Sequence, residues 1–325
     1  MRRSARIVAA VAVLFLVVVG VSGFALFKLY TRPGPLAAEA TVIVPKGASV
    51  AEIAVSLREA GVITSSLAFR GAARLTPVPM QAGEYRFPPH TSLQTTLSML
   101  RSGETVKRRL TVPEGMTSRQ VVMLLNEAEG LTGEVVAPPV EGALLPETYN
   151  YAWGDSRAEM IRRMAQAMAA TIDELWAARD PAIPLSSPQD AVILASIVEK
   201  ETGIAGERPR VAAVFLNRLR LGMKLQADPT VAYAVYGGSK VGAPLTLTDL
   251  QYPSPYNTYA VTGLPPGPIA NPGRASLAAV LQPATTNELY FVADGSGGHA
   301  FARTLDEHQR NVARWRKANE RIGVN

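Results

Sequence analysis

The hydrophobic pattern changes character three times along the chain. From Ile7 to Phe27 it runs for 21 positions without a charge, and at ~1.5 Å per residue that is about 30 Å of helix, the thickness of a hydrocarbon core. Beyond Arg32-Pro-Gly-Pro35 the runs shorten. Val44-PKGASVAEIAVSLREAGVI-63 and Val112-PEGMTSRQVVMLLNEAEGL-131 align without a gap, sharing Val-Pro-x-Gly, a hydroxyl residue and apolar positions at helical spacing; FPPHTSLQTTLSMLRSG from Phe87 is a weaker third copy. Each predicts a short strand followed by a helix, and Ser49 with Glu52 and Thr117 with Gln120 form capping boxes at the matching place. Ala82-GEYRF-87 alternates like an edge strand.

From Ser156 the period becomes helical over longer stretches. Ser156 and Glu159 start a helix reaching about Arg179, with Ile161, Met164, Met168, Ile172 and Leu175 on one face, which is ordinary core rather than a ligand box. Ser187 caps the next helix, with Pro188 at its first position, Asp190 in its first turn and Gly203 as its stop. Leu194, Ile197 and Val198 form its apolar stripe, and one further step lands on Glu201, which therefore faces the interior. Glu199, about 200° around the helix from Glu201, falls on a flank. Pro209 to Gly222 is a second helix and Asp228-Pro229 start a third that ends at Tyr236, with Gln226 in the loop between.

A carboxyl at the end of an apolar stripe is desolvated, which raises its pKa and lets it act as a general acid near neutrality. The structural alternative is a helix-end glutamate paired to Arg208 or Arg210.

After Tyr236 the pattern dissolves into loop: YGGSKVGAPLTL, then 24 residues from Leu250 to Gly273 with six prolines and three glycines. That stretch holds Tyr252, Tyr256, Asn257, Thr258 and Tyr259, residues suited to stacking on sugar rings and fixing hydroxyls, or to buttressing a core. A short helix over Ser276–Leu281, a hairpin turned by Asp294-GSGG and a capped helix from Thr304 to Arg321 complete the chain.

Composition narrows the chemistry. The net charge is +6, but Arg2, Arg3, Arg6, Lys28 and Arg32 all lie in the first 32 positions, which contain no acid. The rest is close to neutral, so nucleic-acid binding is not expected. There is no cysteine, and the three histidines are scattered, so no metal site or cofactor is predicted. His299 and His308 are expected to be structural. The basic residues before the apolar run outweigh those after it, placing the N-terminus in the cytoplasm. A cleaved signal peptide is the rival reading, given Ala37, Ala38 and Ala40.

ASIVEKET, VFLNRLRLGMKLQADPTVAY, SPYNTY and GLPPGPIANPG resemble the YceG-like family of endolytic murein transglycosylases over nearly the whole chain. The resemblance implies an α+β fold: a single transmembrane helix (1–32), a small LysM-like α+β region associated with glycan binding (33–140), and an α+β YceG-like catalytic domain (141–325). It implies that the second glutamate of EKE, Glu201, is the catalytic acid. The substrate would be peptidoglycan, met from the outer face of the bacterial cytoplasmic (inner) membrane, with peptidoglycan synthases such as penicillin-binding proteins as partners. By motif position and residue chemistry, Gln226, Asn257 and Tyr256 are candidates to orient the sugars, with Asn217 behind them, while Asp228 or Glu199 is the candidate second carboxylate. A muramidase using that second carboxylate and a non-catalytic glycan-binding scaffold remain open; a secreted solute-binding protein would need a cleaved signal and two balanced domains around a hinge.

Overall fold

The computed structural model describes residues 2–238 and 245–322; the segment 239–244, within the first of the two loops read from the sequence, lies outside the described residues. The chain separates into two compact units.

The first unit holds residues up to Arg108 with 129–132 and 150–155. Helix α1 (Arg2–Thr31) carries the apolar run, extends it by a turn, and has one stretch, Ala10–Thr31, long and apolar enough to cross a membrane. Strand β1 (Ala40–Val44), α2 (Val50–Glu59), α3 (Ser66–Leu75), β2 (Gly83–Phe87) and α4 (Leu93–Ser102) follow. β1 and β2 pair antiparallel with Val42 opposite Tyr85, and Val42, Val44, Tyr85 and Phe87 turn the alternate positions of that ribbon into one core with Leu57, Phe69, Leu97 and Leu100. The Ser49–Glu52 box forms as expected, both halves present. Helix α3, begun by Ser65 and running unbroken through Gly71, was not foreseen.

Strand β3 (Arg108–Thr111) leads to α5 (Ser118–Glu127) and, after a loop, to β4 (Thr148–Tyr151), with which β3 pairs. The second unit takes in 109–128, 133–149 and 156 onward. The second copy of the repeat therefore groups by contact with the C-terminal residues, whereas the sequence pattern groups it with the first copy in 33–140. The reason is local: Gly115 donates to the Asn271 carbonyl, Asn271 donates back to Met116, and the Asn271 amide donates to Met116 and the Ser118 hydroxyl.

Helices α6 (Arg157–Ala177), α7 (Pro188–Glu201), α8 (Arg208–Arg220), α9 (Asp228–Tyr236), the one-turn α10 (Leu247–Leu250) and α11 (Arg274–Leu281), the hairpin β5 (Tyr290–Ala293) and β6 (His299–Ala302), and α12 (Leu305–Ile322) build the rest. Every residue of α7 from Ala191 to Val198 is buried. A helix apolar around most of its circumference must be enclosed, and α6, α8, α9 and α11 pack around it. Its buried Ser196 is satisfied, donating to Ile193 and accepting from the Ile269 amide.

Candidate functional site

Helix α7 delivers two carboxylates at its C-terminal end, and the structure treats them differently. The Glu199 side chain is 5% exposed and sits in a knot rather than on a flank. One oxygen accepts from the Gly273 amide at the start of α11, 2.9 Å away, where a helix N-terminus favours negative charge. The other faces Arg208, which lies 3.4 Å from both Glu199 and Glu114. A Cβ at Gly273 would fall 1.8 Å from the Glu114 carboxylate, so a larger residue there would push that side chain aside.

Glu201 has no such partners. Among the described residues no group hydrogen-bonds or ion-pairs with its carboxyl, and the two arginines that could have paired with it are engaged elsewhere, Arg208 in the knot and Arg210 with Glu288. The side chain lies deep in the unit yet keeps partial access to solvent. Burial pushes its pKa up to about 8; the negative charge of Asp228 adds to the rise and the Arg218 guanidinium opposes it. At neutral pH this carboxyl holds its proton, the state a general acid needs.

The loop before α9 supplies the surroundings. Asp228 is the first residue of α9, and its carboxylate accepts from the Tyr259 hydroxyl at 2.6 Å. Gln226 is exposed and holds φ 52°, a left-handed backbone that costs a glutamine about 1 kcal/mol or more. The strain is held by two bonds to one residue: the Gln226 amide donates to the Thr258 carbonyl and the Ala227 amide to the Thr258 hydroxyl. Tyr256 is half-buried with its ring 5.2 Å from that of Tyr233.

Two sequence candidates have other work. Asn257 is fully buried: its amide donates to Leu250 and Tyr252, and its carbonyl accepts from Tyr259, so it knits the loop and has no group left for a sugar. Asn217 donates to the carbonyls of Thr286 and Glu288 and accepts from Arg220, tying α8 to the loop that precedes the hairpin. Both polar residues fold the walls of the site rather than line it. His299 is bonded to Glu207 at 2.7 Å, and His308 stacks on Tyr290, where burial lowers its pKa.

The sequence reading gave Arg218 no role and Tyr259 none beyond that of one loop aromatic among several. Arg218 is 8% exposed, donates to Leu225 and Leu289, and lies over the Tyr290 ring. Its signal was present: Val211, Val214 and Phe215 define a stripe whose next step is Arg218, the same stepping that located Glu201. Tyr259 could be recognised only once the loop closed on Asp228; burial, then the Asp228 bond, raises its pKa.

A desolvated, unpaired carboxyl whose proton is favoured by burial and by the charge of Asp228, with the Arg218 guanidinium opposing, is the arrangement a general acid needs, here on an α+β scaffold. The chain belongs to the YceG-like family, whose model matches residues 42–314. It is 32% identical over 299 residues to an endolytic murein transglycosylase of Bacillus subtilis, covering 82% of each chain. It is 28% identical to an endolytic murein transglycosylase of Streptococcus pneumoniae, where 84% of this chain spans 58% of the longer relative. Its fold matches the crystal structure of a YceG-like protein from Listeria monocytogenes with a TM-score of 0.54 and 29% identity, over 84% of this chain and 98% of that one.

Proposed function

We propose that this protein is a membrane-anchored endolytic peptidoglycan lytic transglycosylase with Glu201 as its single acid/base. The observation that carries the reading is the Glu201 carboxyl: buried, unpaired and protonated at neutral pH. Protonated Glu201 gives its proton to the oxygen of the β-1,4 bond between N-acetylmuramic acid and N-acetylglucosamine. The resulting carboxylate then takes the proton of the C6 hydroxyl of the same N-acetylmuramic acid, which closes a 1,6-anhydro ring. The substrate thus supplies the nucleophile that a glycosidase draws from a second carboxylate or from water. Burial, helped by the charge of Asp228, keeps the acid protonated, and Gln226 and Tyr256 are our candidates to orient the sugars.

With α1 as an uncleaved anchor and its N-terminus in the cytoplasm, the second unit acts outside the cytoplasmic membrane on strands near its surface, where peptidoglycan synthases are the partners the family resemblance implies. The paired β1 and β2 bracketing α2 and α3 around one core support a self-contained module, which we read as the LysM-like glycan-binding unit.

The deciding experiment is mass spectrometry of muropeptides released from purified peptidoglycan by the protein and by Glu201→Gln. Anhydro ends from the parent alone are expected. Reducing ends would instead assign a muramidase, with Asp228 as the carboxylate that activates water. No products from either protein would leave a binding scaffold.

A further inference from the structure

The first unit carries an amphiphile-shaped recess beside the end of α1. A groove of about 740 Å³ runs between the last turns of α1, through Leu26, Phe27 and Tyr30, and the outer face of α3, through Leu67, Gly71 and Leu75. Leu67 is 78% exposed and Leu75 86%, a large apolar investment for a helix of ten residues. Leu67, Arg70, Gly71, Arg74 and Leu75 recur at helical spacing on one exposed stripe. The groove adjoins a mixed notch of about 260 Å³ to which Arg32, Thr64 and Ser65 give its polar groups, and Leu29, Ala68 and Leu93 line both.

What covers this face follows from its place. Leu26 to Tyr30 belong to the stretch able to cross a membrane, Ala10–Thr31, so the groove begins inside the last ~8 Å of the span at ~1.5 Å per residue. That is the depth at which interfacial amphipathic helices rest, ~5–10 Å into the headgroup and acyl boundary. Arg70 and Arg74 flank the apolar residues of α3 and Arg32 lies in the notch, so the charge around the recess is positive.

We propose that α3 lies in the membrane interface and that the recess binds an anionic phospholipid of that membrane, with an acyl chain in the groove and the phosphate at Arg32. This rests on reading α1 as a membrane span. The bound lipid completes a core that the protein leaves open and fixes the first unit against the bilayer surface.

The absence of cysteine from the sequence allows a direct test on the full chain in nanodiscs of phosphatidylcholine and phosphatidylglycerol. Single cysteines at Val18, Leu67, Leu75 and the 97% exposed Val136 are spin-labelled, and their accessibility to oxygen and to a water-soluble nickel chelate is compared. Val18, Leu67 and Leu75 should report lipid, and Val136 water. Water at Leu67 and Leu75 with lipid at Val18 overturns the proposal and keeps the span. Water at Val18 rejects the span reading and the proposal with it.

The ligand is tested by native mass spectrometry of lipid retained through gentle detergent. Phosphatidylglycerol should be enriched over phosphatidylcholine, and Arg32→Gln, Arg70→Gln and Arg74→Gln should each lower the enrichment about fivefold, the worth of one basic residue near an anionic surface. Gly71→Trp fills the groove from a position with no atom within 4 Å of its Cβ and should displace the lipid with every arginine in place. Retention unchanged by Gly71→Trp, or no enrichment in the parent, overturns the site.

Discussion

Two carboxylate regions share the C-terminal end of α7, one around Glu199 and one around Glu201. In the first, both Glu199 oxygens have a partner, one the Gly273 amide at a helix N-terminus and the other Arg208, which Glu114 shares. In the second, the carboxyl lies deep in the fold with a carboxylate as its electrostatic neighbour and no hydrogen bond among the described residues. The first arrangement stabilises a charge and the second makes a charge costly to form. Two residues of separation on one helix therefore produce an ion-pair knot and an unpaired carboxyl that favours its protonated form, and burial alone does not distinguish them. The distinction lies in what the neighbours do with the buried group.

The largest effect should come from removing the acid. Glu201→Gln should lower the rate of glycan cleavage by about 10²–10⁴-fold or more, the usual contribution of general acid–base catalysis. The same substitution should stabilise the fold. Because burial raises the folded pKa to about 8 from the ordinary 4.5, the folded state keeps a proton that the unfolded state releases, so stability falls as pH rises from about 4.5 to about 8. At pH 7 the cost is about 3 kcal/mol. Calorimetry across that window should show Glu201→Gln with a higher Tm than the parent and a flatter pH dependence; a destabilised variant would place Glu201 in the structural class with Glu199.

Glu199→Gln should do the reverse. It leaves Arg208, 12% exposed, with only Glu114 as a counter-charge, and breaking one side of a buried pair costs about 3–5 kcal/mol. Denaturant titration should register that loss, while the rate per folded molecule changes far less than for Glu201→Gln. Equal losses of rate in both variants would merge the two regions into one catalytic unit.

A smaller effect should separate charge from structure. Asp228→Asn removes the negative charge that helps keep Glu201 protonated, so the alkaline limb of the activity profile, expected near the Glu201 pKa of about 8, should move to lower pH. A limb that stays in place would assign the rise to burial alone. A large loss of rate at every pH would favour a direct role for Asp228, as a muramidase requires.

The comparison also shows what the sequence could reveal. Periodicity located Glu201 on the inner face of α7 and would have located Arg218 on α8 by the same stepping, because a helix fixes its faces locally. It misplaced Glu199, since a position off the apolar stripe predicts exposure unless another segment arrives to cover it, and Gly273 comes from 74 residues further on. The capping boxes of α2 and α5 were legible for the same local reason, but not where α5 would dock: its preceding turn is claimed by Asn271. Asn257 and Asn217 were offered to the substrate on residue chemistry, yet in a proline-rich loop and at a strand junction the backbone has few ladder partners, and the side-chain amides satisfy it first.

The smallest effect concerns Gln226, where the two regions' logic can be separated at one residue. Its backbone is left-handed, so Gln226→Gly should raise stability by up to about 1 kcal/mol if the side chain has no structural task. Thr258 holds the turn through backbone and hydroxyl bonds that the substitution leaves intact. Under the proposed role, the Gln226 amide reaches substrate from this strained, exposed turn. Gln226→Gly should therefore gain Tm and lose kcat/KM, and Gln226→Asn, which tolerates the same backbone and keeps a shorter amide, should recover part of the rate. A variant that is more stable and fully active would assign the strain to loop closure and remove Gln226 from the binding surface.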